Sequence, residues 1–254
     1  MQTAPGIDVT RELAISASAD FARATPAADL PASRRGPSLS LAAHHELPAV
    51  SQRWLQSKRW LDVAGSAALI VLLSPLMLCT AALIAASGGK VLFRQPRVGR
   101  HGRRFNLYKF RTMRPNAAAL LDQLLAEHPE LRDEWARTQK LQHDPRITRI
   151  GAWLRRTSLD ELPQLFNVLR GEMSLVGPRP VLEDELKRYG RSSRWYLATR
   201  PGISGLWQVN GRANTTYARR VALDTLYVRR QQFWLDLLIL LRTPMVVLLR
   251  DGAK

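Results

Sequence analysis

Cysteine is nearly absent: Cys79 stands alone in 254 residues, which rules out an intramolecular disulfide framework and a cysteine-rich metal site. Its apolar neighbours suit a small core residue better than a nucleophile. Acid is scarce as well, with 21 Asp+Glu against 38 Lys+Arg and a net charge of +17. Such an excess calls for an anionic partner: nucleic acid, anionic lipid or a phosphorylated substrate. The charge is unevenly placed. Residues 1–50 carry four Lys/Arg and five Asp/Glu, so the whole basic excess lies in residues 51–254. No internal repeat is present. An apolar fraction of 46% is enough for a real core in one large domain or two small ones.

Residues 1–50 are rich in Ala, Ser and Pro and show no sustained apolar period, the composition of a disordered tail. They lack the basic start and apolar run of a signal peptide. Order is expected from Trp54, and residues 51–89 form the next unit. From Val63 to Gly89 there is no charged residue, a run longer than the ~20 residues a helix needs to span hydrocarbon. Ser74-Pro75 interrupts it. Pro75 removes the backbone bond to the Val71 carbonyl, and the Ser74 hydroxyl can return a hydrogen bond to a carbonyl freed in this way. Both flanks are basic: Lys58 and Arg59 before, Lys90, Arg94, Arg97 and Arg100 after. Positive flanks favour the cytoplasmic side. A helix that enters, breaks at Ser74-Pro75 and returns satisfies both facts; a kinked span and a buried core helix are the alternatives. A second apolar stretch, "FWLDLLILLRTPMVVLL", is interrupted by Asp236, Arg242 and Pro244, and reads as an amphipathic helix on the interface or the core.

Residues 90–254 carry the polar motifs. "VLFRQPRVGRHGRRFNLYKFRTM" suggests two short strands around a basic, Gly-containing turn, with Lys109 and Arg111 at alternate positions of one face. A solvated basic face and a diphosphate contact both fit. Residues 116–141 read as helical with a break at Pro129.

The stretch "TSLDELPQ" sets Asp160 and Glu161 side by side behind Arg155 and Arg156. Ser158-x-x-Glu161 fits a capping box, with Leu159, Leu162, Leu165, Phe166 and Leu169 as the buried stripe and Asp160, Gln164 and Asn167 opposite. A helix start would stabilise these acids without any chemistry. Arginine nearby, and Arg179 held between Pro178 and Pro180, point instead towards phosphate. Carboxylates, arginines and no His/Cys cluster suit phosphoryl transfer aided by Mg²⁺. "RPGISGLWQVNGR" adds Arg200, Gln208 and Arg212 as polar candidates around Trp207, and "LDTLYV" places Asp224 and Tyr227 one turn apart.

"KRWLD", the "SP" break, "YKFRTM", "DPRITRIGAWLRRTSLDELPQLFNVLRGEMSLVGPRP", "RPGISGLWQVNGR" and "LDTLYV" occur in fixed order. On these motifs the chain resembles the monotopic phosphoglycosyl transferases of the bacterial sugar transferase family. The resemblance implies transfer of a sugar-1-phosphate from a UDP-sugar to undecaprenyl phosphate, the first membrane step of exopolysaccharide or a related glycan. Asp160 would be the nucleophile, forming an aspartyl-phosphosugar and releasing UMP, and Glu161 would bind Mg²⁺. Lys109, Arg155, Arg179 and Asp224 match positions the family uses around the substrate. Motif wording favours galactose or glucose; members acting on N-acetylated sugars share the same core. The resemblance also implies a re-entrant membrane helix in the bacterial inner membrane, with catalysis on the cytoplasmic face. The competing class is a non-enzymatic, basic, membrane-anchored binding protein. Nucleic acid is disfavoured as a partner because the aromatics lie in apolar runs rather than in a basic groove. Nothing decides between a monomer and a homo-oligomer. The expected fold is α+β, mostly helical, with a small antiparallel β element, one re-entrant helix and interfacial amphipathic helices.

Overall fold

The computed structural model describes residues 47–48, 50–138, 141–211 and 215–248. Almost all of the 1–50 tail, Arg212 and the terminal "DGAK" lie outside the described residues. Helix α1 runs from Gln52 to Ala86 and is capped by Ser51, whose side chain accepts from the Trp54 amide. At 35 residues it is ~50 Å of helix, against ~30 Å of hydrocarbon in a bilayer. Ser74-Pro75 does not end it, so the expected helix-break-helix is one uninterrupted helix by its backbone pattern. The reason is local: the Ser74 hydroxyl donates to the Val71 carbonyl at 2.8 Å, the group that Pro75 cannot serve.

Burial along α1 comes in two parts. Leu55, Lys58, Asp62 and Ser66 form one buried stripe at helical spacing, and Met77, Thr80 and Ile84 form another. From Ala67 to Leu76 nothing is buried, and Val71 and Leu72 are about three-quarters exposed. Both stripes meet the same domain. The first is held by polar bonds. Lys58 pairs with Asp236, Asp62 accepts from the Ser174 hydroxyl (3.0 Å) and the Leu175 amide (2.9 Å), and Arg59 donates to the Val168 and Leu169 carbonyls. Lys58 and Arg59 therefore serve the fold rather than forming a free positive flank. The second stripe is apolar, Met77 and Ile84 packing with Phe110 and Leu154. Cys79, expected in the core, is exposed on this helix.

After α1 comes the antiparallel hairpin of β1 (Leu92–Val98) and β2 (Arg104–Phe110), in register from Leu92↔Phe110 to Val98↔Arg104. Phe105 and Leu107 turn inward on alternate positions of one face, while Phe110 is buried on the other face against Met77, Ile84 and Leu154. Helices α2 (Ala117–Glu127) and α3 (Pro129–Thr138) are split where Pro129 was expected to split them. Helix α4 (Arg149–Thr157) packs tightly on the exit of β2: a Cβ on Gly151 would lie 1.9 Å from the Thr112 carbonyl oxygen.

The expected capping box at Ser158 does not form. Ser158 ends α4 with φ 56°, in the left-handed region, and a 3-10 turn follows over Leu159–Glu161. Helix α5 starts only at Gln164 and runs to Arg170. Of the expected apolar stripe, Leu165 is buried and Leu159 and Leu162 pack on the core, but the buried surface also takes in the polar face. Asp160, Gln164 and Asn167 are buried, while Phe166 is 42% exposed. Asn167 is the cause: it accepts from the Tyr108 amide and donates to the Asn106 carbonyl and Glu172, so the polar face is pinned to the edge of β2.

A second pair was not foreseen: β3 (Ser174–Val176) lies parallel to β4 (Gly202–Ser204), with α6 (Glu183–Lys187) and α7 (Ser193–Ala198) between them. Helices α8 (Leu206–Val209), α9 (Tyr217–Arg230) and α10 (Phe233–Leu248) complete the described fold. Val176, Leu206, Trp207, Leu223, Tyr227 and Ile239 are buried together there. Helix α10 meets both environments left open by its sequence. Leu235 and Ile239 enter the core, while Trp234, Leu241 and Met245 are 61–70% exposed.

Candidate active site

Asp160 is placed by the reversal at Ser158. The 3-10 turn carries it under β2, where its side chain is only 10% exposed and the Lys109 ammonium lies 3.8 Å from Oδ2. That lysine is held by the neighbour instead: Lys109 donates to Glu161 Oε1 at 2.7 Å. Among the described residues no side chain donates a hydrogen bond to the Asp160 carboxylate, which takes one only from its own backbone amide. Burial pushes the carboxyl up to about 6; Lys109 and Arg155 pull against this, and the Glu161 charge adds to it. Arg155 comes from α4, its Nε donating to the Thr112 hydroxyl at 2.9 Å. Thr112 is a positioning group that the sequence reading overlooked, although it stands inside the "YKFRTM" motif.

A second polar cluster surrounds Trp207. The guanidinium carbons of Arg179 and Arg220 lie 5.5 and 4.5 Å from its ring centroid. Asp224 is fully buried and accepts from the Tyr189 hydroxyl at 2.8 Å. Burial raises its carboxyl to about 7, opposed by the Tyr189 bond, the Arg179 amide and the charges of Arg220 and Arg179. Arg179 Nε, Arg220 Nε, Trp207 Nε1 and Gln208 Oε1 are buried without a partner among the described residues. Buried polar atoms left this way are what a bound polar ligand would satisfy. Arg220 was missed by sequence reasoning, yet it sits four residues before Asp224 on the same helix face, a signal that was there to read.

The remaining candidates are committed elsewhere. Arg111 does not share a face with Lys109: it lies past the end of β2 and donates to the Ile84 carbonyl and the Ser87 hydroxyl, at the end of α1. Arg200 donates to the Gly171 carbonyl at 2.7 Å, and the Gln208 amide to the Ile203 carbonyl at 3.2 Å. No group of three or more His, Cys, Asp or Glu side chains placed to hold a metal ion forms among the described residues. Ser74 and Pro75 lie in the uncovered stretch of α1, apart from these clusters.

These features define a class: an α+β domain clamped to a long apolar helix, with a buried, lysine-braced carboxylate below a hairpin. The chain belongs to the bacterial sugar transferase family, whose profile matches residues 52–250. It is 47% identical over 213 residues to the undecaprenyl-phosphate galactose phosphotransferase of Salmonella typhimurium, covering 84% of this chain and 44% of that protein. Exopolysaccharide production protein ExoY of Rhizobium meliloti is 46% identical over 198 residues, 78% of this chain and 88% of that protein. The undecaprenyl-phosphate glucose phosphotransferase of Komagataeibacter xylinus is 40% identical over 229 residues, 84% of this chain and 39% of that protein. The chain thus spans less than half of two of these relatives and nearly the full length of ExoY.

Proposed function

We propose that the protein transfers a hexose-1-phosphate, galactose or glucose, from its UDP-sugar to undecaprenyl phosphate at the membrane surface. The observation that carries this reading is the state of Asp160: buried, beside the Lys109 ammonium, and with no side chain donating a hydrogen bond to it among the described residues. Asp160 attacks the phosphorus that bears the sugar. The phosphoanhydride bond breaks, UMP departs, and an aspartyl-phosphosugar remains. An oxygen of the lipid phosphate then attacks the same phosphorus, the bond to Asp160 breaks, and the diphosphate-linked sugar leaves with the aspartate regenerated. Lys109 and Arg155 hold the charge that builds on the phosphoryl oxygens. The Trp207 cluster, with Arg179, Arg220 and Asp224, is the place offered to the nucleotide, because its unpartnered atoms suit a polar ligand. The relatives' names supply the choice of hexose and lipid.

Glu161 fits a divalent cation. It is adjacent to the nucleophile, 36% exposed, and already faces one positive charge, the Lys109 ammonium. Mg²⁺ takes one or two carboxylates and fills its remaining positions with phosphate oxygens and water, so this donor set suffices. When bound, the ion would neutralise phosphate charge during the transfer.

Purified protein given Mg²⁺, undecaprenyl phosphate and a panel of UDP-sugars should release UMP with one hexose donor and leave labelled phosphosugar on the protein when the acceptor is withheld. Asp160→Asn should lower turnover by roughly 10³-fold or more, as loss of a covalent nucleophile does. Near-normal turnover in that variant would sink the assignment.

A further inference from the structure

A cavity of about 580 Å³ lies at the C-terminal end of α1, and no residue of either polar cluster lines it. Its polar walls are Ser87, Arg111, Arg114, Asn116 and Arg149. No acidic residue lines it. Arg111 is fixed there by its bonds to the Ile84 carbonyl and the Ser87 hydroxyl, and its Nη1 is buried without a partner among the described residues. Arg114 and Arg149 are exposed, and neither forms an ion pair among the described residues. Arg146, also close in sequence, is already held by Asp144 through two bonds of 2.8 and 2.7 Å. Three cationic side chains thus line one opening with no acidic side chain beside them among the described residues.

Its position says what the anion belongs to. Ser87 caps α1 where the uncharged run ends, the level at which a helix leaves hydrocarbon for headgroups. Trp153 stands one turn beyond Arg149 on the same face of α4 and is 45% exposed; Phe93 nearby in sequence is 47% exposed. Arginines beside exposed aromatics are how a protein surface sits in a bilayer interface. Neither Lys109 nor Arg155, the cations beside Asp160, lines this cavity. Arg149 starts α4, and Arg155 is six residues, about 9 Å of helix, further along, with Asp160 beyond the helix end.

We propose that this cavity binds the phosphate of an anionic phospholipid headgroup and so seats the end of α1 in the bilayer. The inference rests on the membrane reading given above. Full-length protein should float with phosphatidylcholine vesicles and with vesicles containing phosphatidylglycerol, and native mass spectrometry of detergent-purified protein should show retained phosphatidylglycerol. In the double variant Arg114→Gln/Arg149→Gln, phosphatidylglycerol retention should fall about tenfold or more. Its turnover with undecaprenyl phosphate in phospholipid-free detergent should stay that of the parent. Flotation without any preference for phosphatidylglycerol, or equal retention by the variant, overturns the site while leaving the membrane reading intact. Lost turnover in phospholipid-free detergent overturns it too, and gives the cavity to the acceptor. Failure to float with either vesicle removes the membrane reading and the site together.

Discussion

At the scale of single residues, Asp160 joins reactivity to instability. Its carboxyl ionises near the ordinary 3.8 in the unfolded chain and near about 6 in the folded one. A raised value means that the folded state holds the proton more tightly, so this contribution to stability is full below pH 4 and lost as pH rises through 6. At pH 8 the ionised carboxylate then costs the fold about 3 kcal/mol. Asp160→Asn should therefore raise the thermal midpoint by several degrees at pH 8 and hardly at all at pH 4, even as it removes turnover. With Asp160 as the proposed nucleophile, the same group sets the pH profile expected of the parent enzyme. As attack needs the carboxylate, kcat/KM should climb about tenfold per pH unit below 6 and level off above it. A profile flat from pH 5 to 8 would contradict the role.

At the scale of elements, the seating of α4 on the exit of β2 sets the separation of Thr112 and Arg155. Gly151→Ala puts a methyl group 1.9 Å from the Thr112 carbonyl oxygen, a contact no side-chain adjustment relieves. The helix must shift, and the Arg155–Thr112 bond with it. We expect a loss of about 2 kcal/mol or more and at least a tenfold fall in turnover, read by thermal melting and the UMP assay. Elements differ in how plainly the sequence announced them. The hairpin and the split at Pro129 followed from alternation and from proline's missing amide. Strands β3 and β4, three residues each, are too short for alternation to register. The reversal at Ser158 was hidden because a serine with positive φ carries no sequence mark. The buried polar face of α5 defied the usual rule that polar residues face water, since only the fold brings Asn167 to the bare backbone of β2. The carboxylate pair and the Arg220/Asp224 spacing were both visible in the sequence, but Thr112 stands out only after the elements are assembled.

At the scale of the molecule, both ends of α1 are fastened to one domain. A helix crossing the bilayer would carry Lys58 and Ser87 to opposite sides, yet Asp236 and Arg111 of the same domain hold them. With residues 67–76 uncovered between, this favours a helix that enters and leaves by the same face, a topology we propose. With Cys79 replaced by serine, cysteines introduced at positions 56 and 95 should both react with an impermeant maleimide from the same side of sealed membranes. Labelling from opposite sides would refute the arrangement. On that topology, the exposed apolar row of Trp234, Leu241 and Met245 is a surface we propose to rest on lipid.

The Lys58–Asp236 pair joins positions 178 residues apart. On a ribosome adding about 5–20 residues per second, Asp236 is made roughly 10–35 seconds after Lys58. Throughout that interval the first half of the membrane helix has neither its counter-ion nor the Ser174 hydroxyl, and its lysine and aspartate must stay hydrated. Insertion of the apolar middle can begin early, but the final seating of its start waits for the last helix. Chains cut short before α10 would therefore reach the membrane without acquiring the native attachment, so full assembly becomes a test of completed synthesis.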